Sequence, residues 1–126
     1  MAKSYTLKVK GTIEIAHRLP NYSGACAKLH GHCIHYTLNF KGELQDNGMV
    51  EDFKVLKNII NNVMEDYDHT YLNDFIENPT LENFATIILD DVNKYYDYCK
   101  GFGKAGRFVS IEMWETDKYG VVIENE

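Results

Sequence analysis

His30-Gly31-His32-Cys33-Ile34-His35-Tyr36-Thr37-Leu38-Asn39-Phe40-Lys41 alternates, with His30, His32, Ile34, Tyr36, Leu38 and Phe40 at even positions and mostly polar residues at odd ones. Alternation over that length marks a strand with one buried face. Residues two apart project to the same side, so His30 and His32 share the apolar face, where one ion can reach both imidazoles. His35 has the opposite parity and is excluded as a ligand of that ion.

The preceding segment repeats the pattern. From Tyr5 to His17 the odd positions are Tyr5, Leu7, Val9, Gly11, Ile13, Ile15 and His17, opposed mainly by Thr, Lys and Glu. His17 therefore falls on an apolar face too, with Gly11 as the place where a bulge would reset the parity. Three imidazoles suit a divalent transition metal, most often zinc, and three ligands rather than four leave a position open for chemistry. Between the strands, Leu19-Pro20-Asn21-Tyr22-Ser23-Gly24 is a loop by its turn residues and leads to Cys26, which three residues separate from His30.

Outward from this hairpin the period changes. Gly42 to Gly48 is a turn region, and Asp52 is a good N-cap for a helix of about four turns, with Phe53, Leu56, Ile60, Val63 and Tyr67 as its apolar stripe. Asp68-His69 and Tyr71-Leu72-Asn73-Asp74 follow as loop. Pro79-Thr80 opens a second helix with Glu82 in its first turn; Leu81, Phe84, Ala85, Ile88, Leu89, Val92 and Tyr96 form the buried stripe and Lys100-Gly101 the stop. The last third returns to strands. Val109, Ile111, Met113 and Glu115 share one parity, so Glu115 continues an apolar row, and Tyr119 to Ile123 reads as a final short strand. A carboxylate in that row needs donors or sits at the mouth of a pocket. The order predicts one α+β domain over residues 1–126, a four-stranded antiparallel sheet with two helices on one face, ββααββ.

Composition narrows the function. The 126 residues are 44% hydrophobic and 25% charged, ordinary for a soluble globular protein, with a net charge of −6 that argues against nonspecific nucleic-acid binding, so no nucleic-acid partner is expected. Residues 1–41 nevertheless hold six cations (Lys3, Lys8, Lys10, Arg18, Lys28, Lys41) against Glu14 alone, which suits a phosphorylated small molecule near the histidines. Lys3, Lys8 and Lys10 read as a solvated strand face. The N-terminus lacks the apolar run of a signal peptide, no stretch is suited to a membrane, and three widely spaced cysteines fit a reducing compartment, so a cytoplasmic location is expected.

These residues carry a resemblance running nearly end to end. Ala16-His17-Arg18-Leu19, Cys26 with Leu29-His30-Gly31-His32, Gly48-Met49-Val50 with Asp52-Phe53, Asp68-His69 with Leu72-Asn73, Pro79-Thr80 with Glu82-Asn83, and Glu115-Thr116 resemble the 6-pyruvoyltetrahydropterin and 6-carboxytetrahydropterin synthase family. The resemblance implies a tunnelling fold assembled as homo-oligomers, trimers stacked into hexamers. It implies zinc on His17, His30 and His32, a catalytic thiolate at Cys26, and a proton relay at Asp68 and His69. Glu115 would anchor a pterin ring, helped by Thr80 and Glu82 from a neighbouring subunit; Arg18 and Lys28 are candidate phosphate contacts. Cys33 and Cys99 are read as packing residues.

Carboxy-forming members of that family, which act in 7-deazapurine (queuosine-type) synthesis, resemble this chain in having three residues between the cysteine and His-x-His. The expected reaction is therefore that of a lyase converting 7,8-dihydroneopterin triphosphate to 6-carboxy-5,6,7,8-tetrahydropterin. The pyruvoyl-forming reaction is the alternative, and a non-catalytic metal- or pterin-binding module the alternative of another class.

Overall fold

The computed structural model describes residues 2–101 and 104–125. Its frame is a long antiparallel hairpin, β1 (Tyr5–His17) against β2 (His30–Gly42), in unbroken register from Tyr5 opposite Gly42 to His17 opposite His30. Gly11 makes no bulge. It lies opposite Tyr36, whose ring occupies the space a β-carbon would fill, so the glycine admits the aromatic instead of resetting parity. Three further elements follow the hairpin: α1 (Phe53–Met64), the two-residue β3 (Thr70–Tyr71) and α2 (Leu81–Lys100). The chain closes with β4 (Gly106–Trp114) and β5 (Gly120–Glu124).

Five strands, ordered β3-β1-β2-β4-β5, make the sheet. The α+β expectation holds with one refinement. Tyr71, expected in a loop, joins Thr70 in β3, which runs parallel to β1 beside Ile15 and Ala16 and makes the sheet mixed. Such a strand carries no periodic signal because it is only two residues long.

Both helices begin as their sequences dictate. The Asp52 carboxylate accepts from the Lys54 N–H at 2.8 Å, and the Thr80 hydroxyl oxygen from the Asn83 N–H at 3.1 Å, each satisfying a donor that the first turn leaves free. α1 is shorter than its stripe suggests: Leu56, Ile59, Ile60, Val63 and Met64 are buried, whereas Phe53, the first helical residue, is 58% exposed. Tyr67 falls in the turn beyond the helix, its hydroxyl donating to Asp91 on α2 at 3.0 Å. The stripe of α2 is buried as expected, apart from a half-buried Leu81. No helix of the described residues is long and apolar enough to cross a membrane.

Parity along β4 is corrected by a bulge. Asn39 pairs with Ser110 but Phe40 pairs with Phe108, so Val109 is the extra residue and the row shifts. Phe108, expected outward, is fully buried; Val109, expected inward, is only half-buried. Beyond the bulge Ile111 and Met113 face the core as expected, and Glu115 follows them. At Phe108 the sheet has no β5 neighbour, and α2 supplies the missing partner. The Asn93 side chain accepts from the Phe108 N–H at 2.9 Å and donates to its carbonyl at 2.8 Å.

The core is densest at this end. Phe40, Tyr96 and Phe108 meet edge to face with centroids 5.1–6.3 Å apart. The Tyr96 hydroxyl donates to the buried Glu51 carboxylate at 2.7 Å and accepts from the Ala105 N–H at 3.1 Å. Burial, then the hydrogen bond to Glu51, pushes the Tyr96 phenol up to about 12.

Candidate metal centre

The hairpin register places the three histidines. His17 and His30 are direct cross-strand partners, and His32 lies opposite Ile15, two residues along the same face. All three rings therefore meet at one end of the hairpin, with centroids 4.5, 5.2 and 4.9 Å apart. One ring nitrogen of each lies within 4.8 Å of the others.

Two backbone carbonyls set the ring orientations. His17 Nδ1 is 2.7 Å from the Pro79 carbonyl, and His30 Nδ1 is 2.7 Å from the Lys28 carbonyl. A carbonyl only accepts, so both Nδ1 atoms carry the proton and both Nε2 atoms keep a lone pair. This arrangement fixes a metal-binding imidazole from its far side.

The inward nitrogens have nothing to bond among the described residues. His17 Nε2 and His32 Nε2 are buried without a hydrogen-bond partner. The heteroatom facing them is Glu115 Oε1, at 4.0 Å from His17 and 3.8 Å from His32, which is also an acceptor. Converging acceptors are costly to bury unless a cation lies among them, and three nitrogens with a carboxylate fit a divalent metal ion. Burial of His17, 2% exposed, holds its pKa below the usual histidine value, against the opposing pull of the Pro79 carbonyl.

A cavity of about 350 Å³ opens from this cluster. Its walls include His17, His30, Cys26, Thr80, Glu82 and Glu115, so four residues singled out for separate reasons share one space with two of the histidines. Cys26 stands exposed in a short 3-10 turn, Ala25–Ala27. Thr80 and Glu82 line this cavity from the start of α2 in the same chain, where the preceding Pro79 is anchored to His17. Tyr119 also lines it and escaped the sequence reading, although it closes the turn that starts at Glu115, whose N–H donates to the Tyr119 carbonyl.

Asp68 and His69 lie elsewhere. Asp68 accepts from the Glu14 N–H at 2.8 Å at the edge of β1, and its other oxygen is 3.1 Å from His69 Nδ1. The Glu14 N–H, then the burial-opposed contact with His69, holds the Asp68 carboxyl below its usual range. His69 has φ +61°, the one non-glycine residue with positive φ among those described, and its side chain is 74% exposed. Neither residue lines the cavity of its own chain. Arg18 and Lys28 are exposed beside the ligands in sequence, Arg18 held through its backbone by Asn73 at 2.9 Å on both sides.

The hairpin and the helical layer recur in known proteins. A Caenorhabditis elegans 6-pyruvoyl tetrahydropterin synthase structure superposes with a TM-score of 0.84, covering 98% of this chain and 97% of that one at 21% identity. It shares the tunnelling-type fold. Among curated sequences, a putative 6-carboxy-5,6,7,8-tetrahydropterin synthase of Archaeoglobus fulgidus is 36% identical over 73% of this chain and 79% of its own. The Bacillus subtilis 6-carboxy-5,6,7,8-tetrahydropterin synthase is 38% identical over 75% and 69%. A dihydroneopterin monophosphate aldolase of Pyrococcus furiosus is 34% identical over 77% and 79%. The family model for 6-pyruvoyl tetrahydropterin synthase matches residues 6–126, so that the histidines, the cavity and all of the sheet but Tyr5 fall inside the match, and the chain belongs to that family.

Proposed function

We propose that this chain is a zinc-dependent lyase converting 7,8-dihydroneopterin triphosphate and one water to 6-carboxy-5,6,7,8-tetrahydropterin, with release of acetaldehyde and triphosphate, in 7-deazapurine biosynthesis. The observation that carries the reading is the convergence of three imidazoles, two of which, His17 and His30, line a cavity together with Cys26 and Glu115. The carboxy-forming names of two relatives and the three-residue gap between Cys26 and His30 support the choice of product.

His17, His30 and His32 would hold the ion, and zinc bound there would polarise the side-chain hydroxyls of the substrate and acidify the bonds beside them. The remaining work falls to the chain. Cys26, as thiolate, takes a proton from the side chain of the substrate. Glu115 accepts hydrogen bonds from the 2-amino and N3–H edge of the pterin. Thr80 uses its oxygen as a helix cap and keeps its hydroxyl hydrogen for the ligand, beside Glu82. Arg18 and Lys28 supply positive charge for the phosphates.

The Asp68–His69 pair serves as the second proton carrier, with Asp68 orienting the imidazole. Its exposure at the edge of β1 supports a homo-oligomer, trimeric or hexameric, in which it reaches the cavity of a neighbouring copy. Incubation with dihydroneopterin triphosphate and mass analysis of the products tests the reading. A carboxy product supports it; a pyruvoyl product, the aldol cleavage suggested by the Pyrococcus relative, or unchanged substrate with zinc bound overturns it. Cys26→Ala is expected to keep its metal and lose at least about a hundredfold in turnover, the scale of a removed general base; full activity rejects the thiolate role.

A further inference from the structure

We propose that Glu115 is the fourth ligand of the metal ion in the substrate-free protein, and that it is released from the ion when substrate binds. The inference rests on the three-imidazole reading above and gives Glu115 a role besides holding the pterin edge.

The acceptors at this site are unmatched. Glu115 Oε1 lies 3.8 Å from His32 Nε2 and 4.0 Å from His17 Nε2. Both separations exceed a hydrogen bond, so no proton is shared across them. The carbonyl of Pro79 holds the His17 proton on the far side of its ring, which leaves a lone pair facing a carboxylate. Such a pair repels unless a cation sits between. Donors around a tetrahedral ion are about 3.3 Å apart, so the carboxylate closes on His17 and His32 by a side-chain shift on the order of half an ångström as the imidazoles draw in around the ion.

The route of Glu115 to this position is also direct. It stands two residues past Met113, just beyond the end of β4, and its N–H is tied to the Tyr119 carbonyl at 3.0 Å, which holds the backbone at the strand end. No described side chain donates to the Glu115 carboxylate, and it remains partly exposed, 28%, to the cavity. It is thus free to turn between the imidazoles and the ligand space. A carboxylate that leaves the ion as the substrate hydroxyls arrive is then available to accept from the heterocycle.

The test is metal binding by the whole protein without substrate. Co(II) affinity, by competition with a chromophoric chelator, and the Co(II) d–d absorption are compared in wild type, Glu115→Gln and Glu115→Asp. Direct ligation predicts that both variants bind at least about tenfold more weakly and that their bands shift, because Gln loses the charge and Asp loses the reach. Wild-type affinity in Glu115→Asp, or unchanged bands in Glu115→Gln, overturns the proposal by reducing Glu115 to a nearby charge. A wild-type protein that takes up no Co(II) overturns the three-imidazole site as well.

Discussion

The two ends of the β1–β2 hairpin obey one alternation rule and reach opposite outcomes. At the Phe40 end every inward position is apolar and every buried polar group is answered: Glu51 by Tyr96, and the Phe108 backbone by Asn93. At the His30 end the inward positions are imidazoles, and two of their nitrogens are buried with no partner. The strand geometry is common to both, so the difference lies in side-chain chemistry. One end holds the fold together, whereas the other forgoes internal hydrogen bonds for a ligand from outside.

The largest effect that would break this contrast is at the closed end. Phe40→Ala removes a fully buried ring from the Tyr96–Phe108 cluster and is expected to lower stability by about 3–5 kcal/mol in denaturant unfolding. Its metal uptake, measured on the folded fraction, should be unchanged. A loss of less than about 1 kcal/mol would mean that this cluster is not what anchors the sheet.

His32→Leu sharpens the contrast from the other side. Replacing an orphaned buried acceptor by an apolar group should leave the metal-free protein as stable as wild type or up to about 1 kcal/mol more stable, while abolishing the thermal shift produced by zinc. Destabilisation on the scale of Phe40→Ala would show His32 to be an ordinary core residue.

The smallest effect is one of pH. Burial lowers the His17 pKa below 6.5, so below that pH the unfolded chain binds the proton more readily than the folded one. Stability of the metal-free protein from this group is present above pH 6.5 and is lost as pH falls through the folded pKa. Denaturant midpoints from pH 7.5 to 5 should decline, and His17→Leu should flatten the part due to this residue. An equal decline in both proteins would assign the loss to other groups.

Much of this was legible in the chain itself. Strand parity put His17, His30 and His32 on one face, and the caps at Asp52 and Thr80 fixed both helix starts. Cys26, Thr80, Glu82 and Glu115 do border the histidines' cavity. What escaped were features decided by distant partners. The bulge at Val109 depends on how β4 meets β2, and β3 exists because a turn happens to lie beside Ile15. The Pro79 carbonyl that fixes the His17 tautomer is 62 residues away in sequence. No local pattern carries such information. The separation of Asp68 and His69 from the cavity was equally invisible, since adjacency in a motif says nothing about which wall a residue faces.

The most direct test of the central claim is a metal count. Wild type and the single variants His17→Ala, His30→Ala and His32→Ala, each loaded with zinc and dialysed against a weak chelator, are analysed for bound metal. The account predicts one zinc ion per wild-type chain and essentially none in any variant. Zinc retained in all three variants, or absent from the wild type, would contradict it.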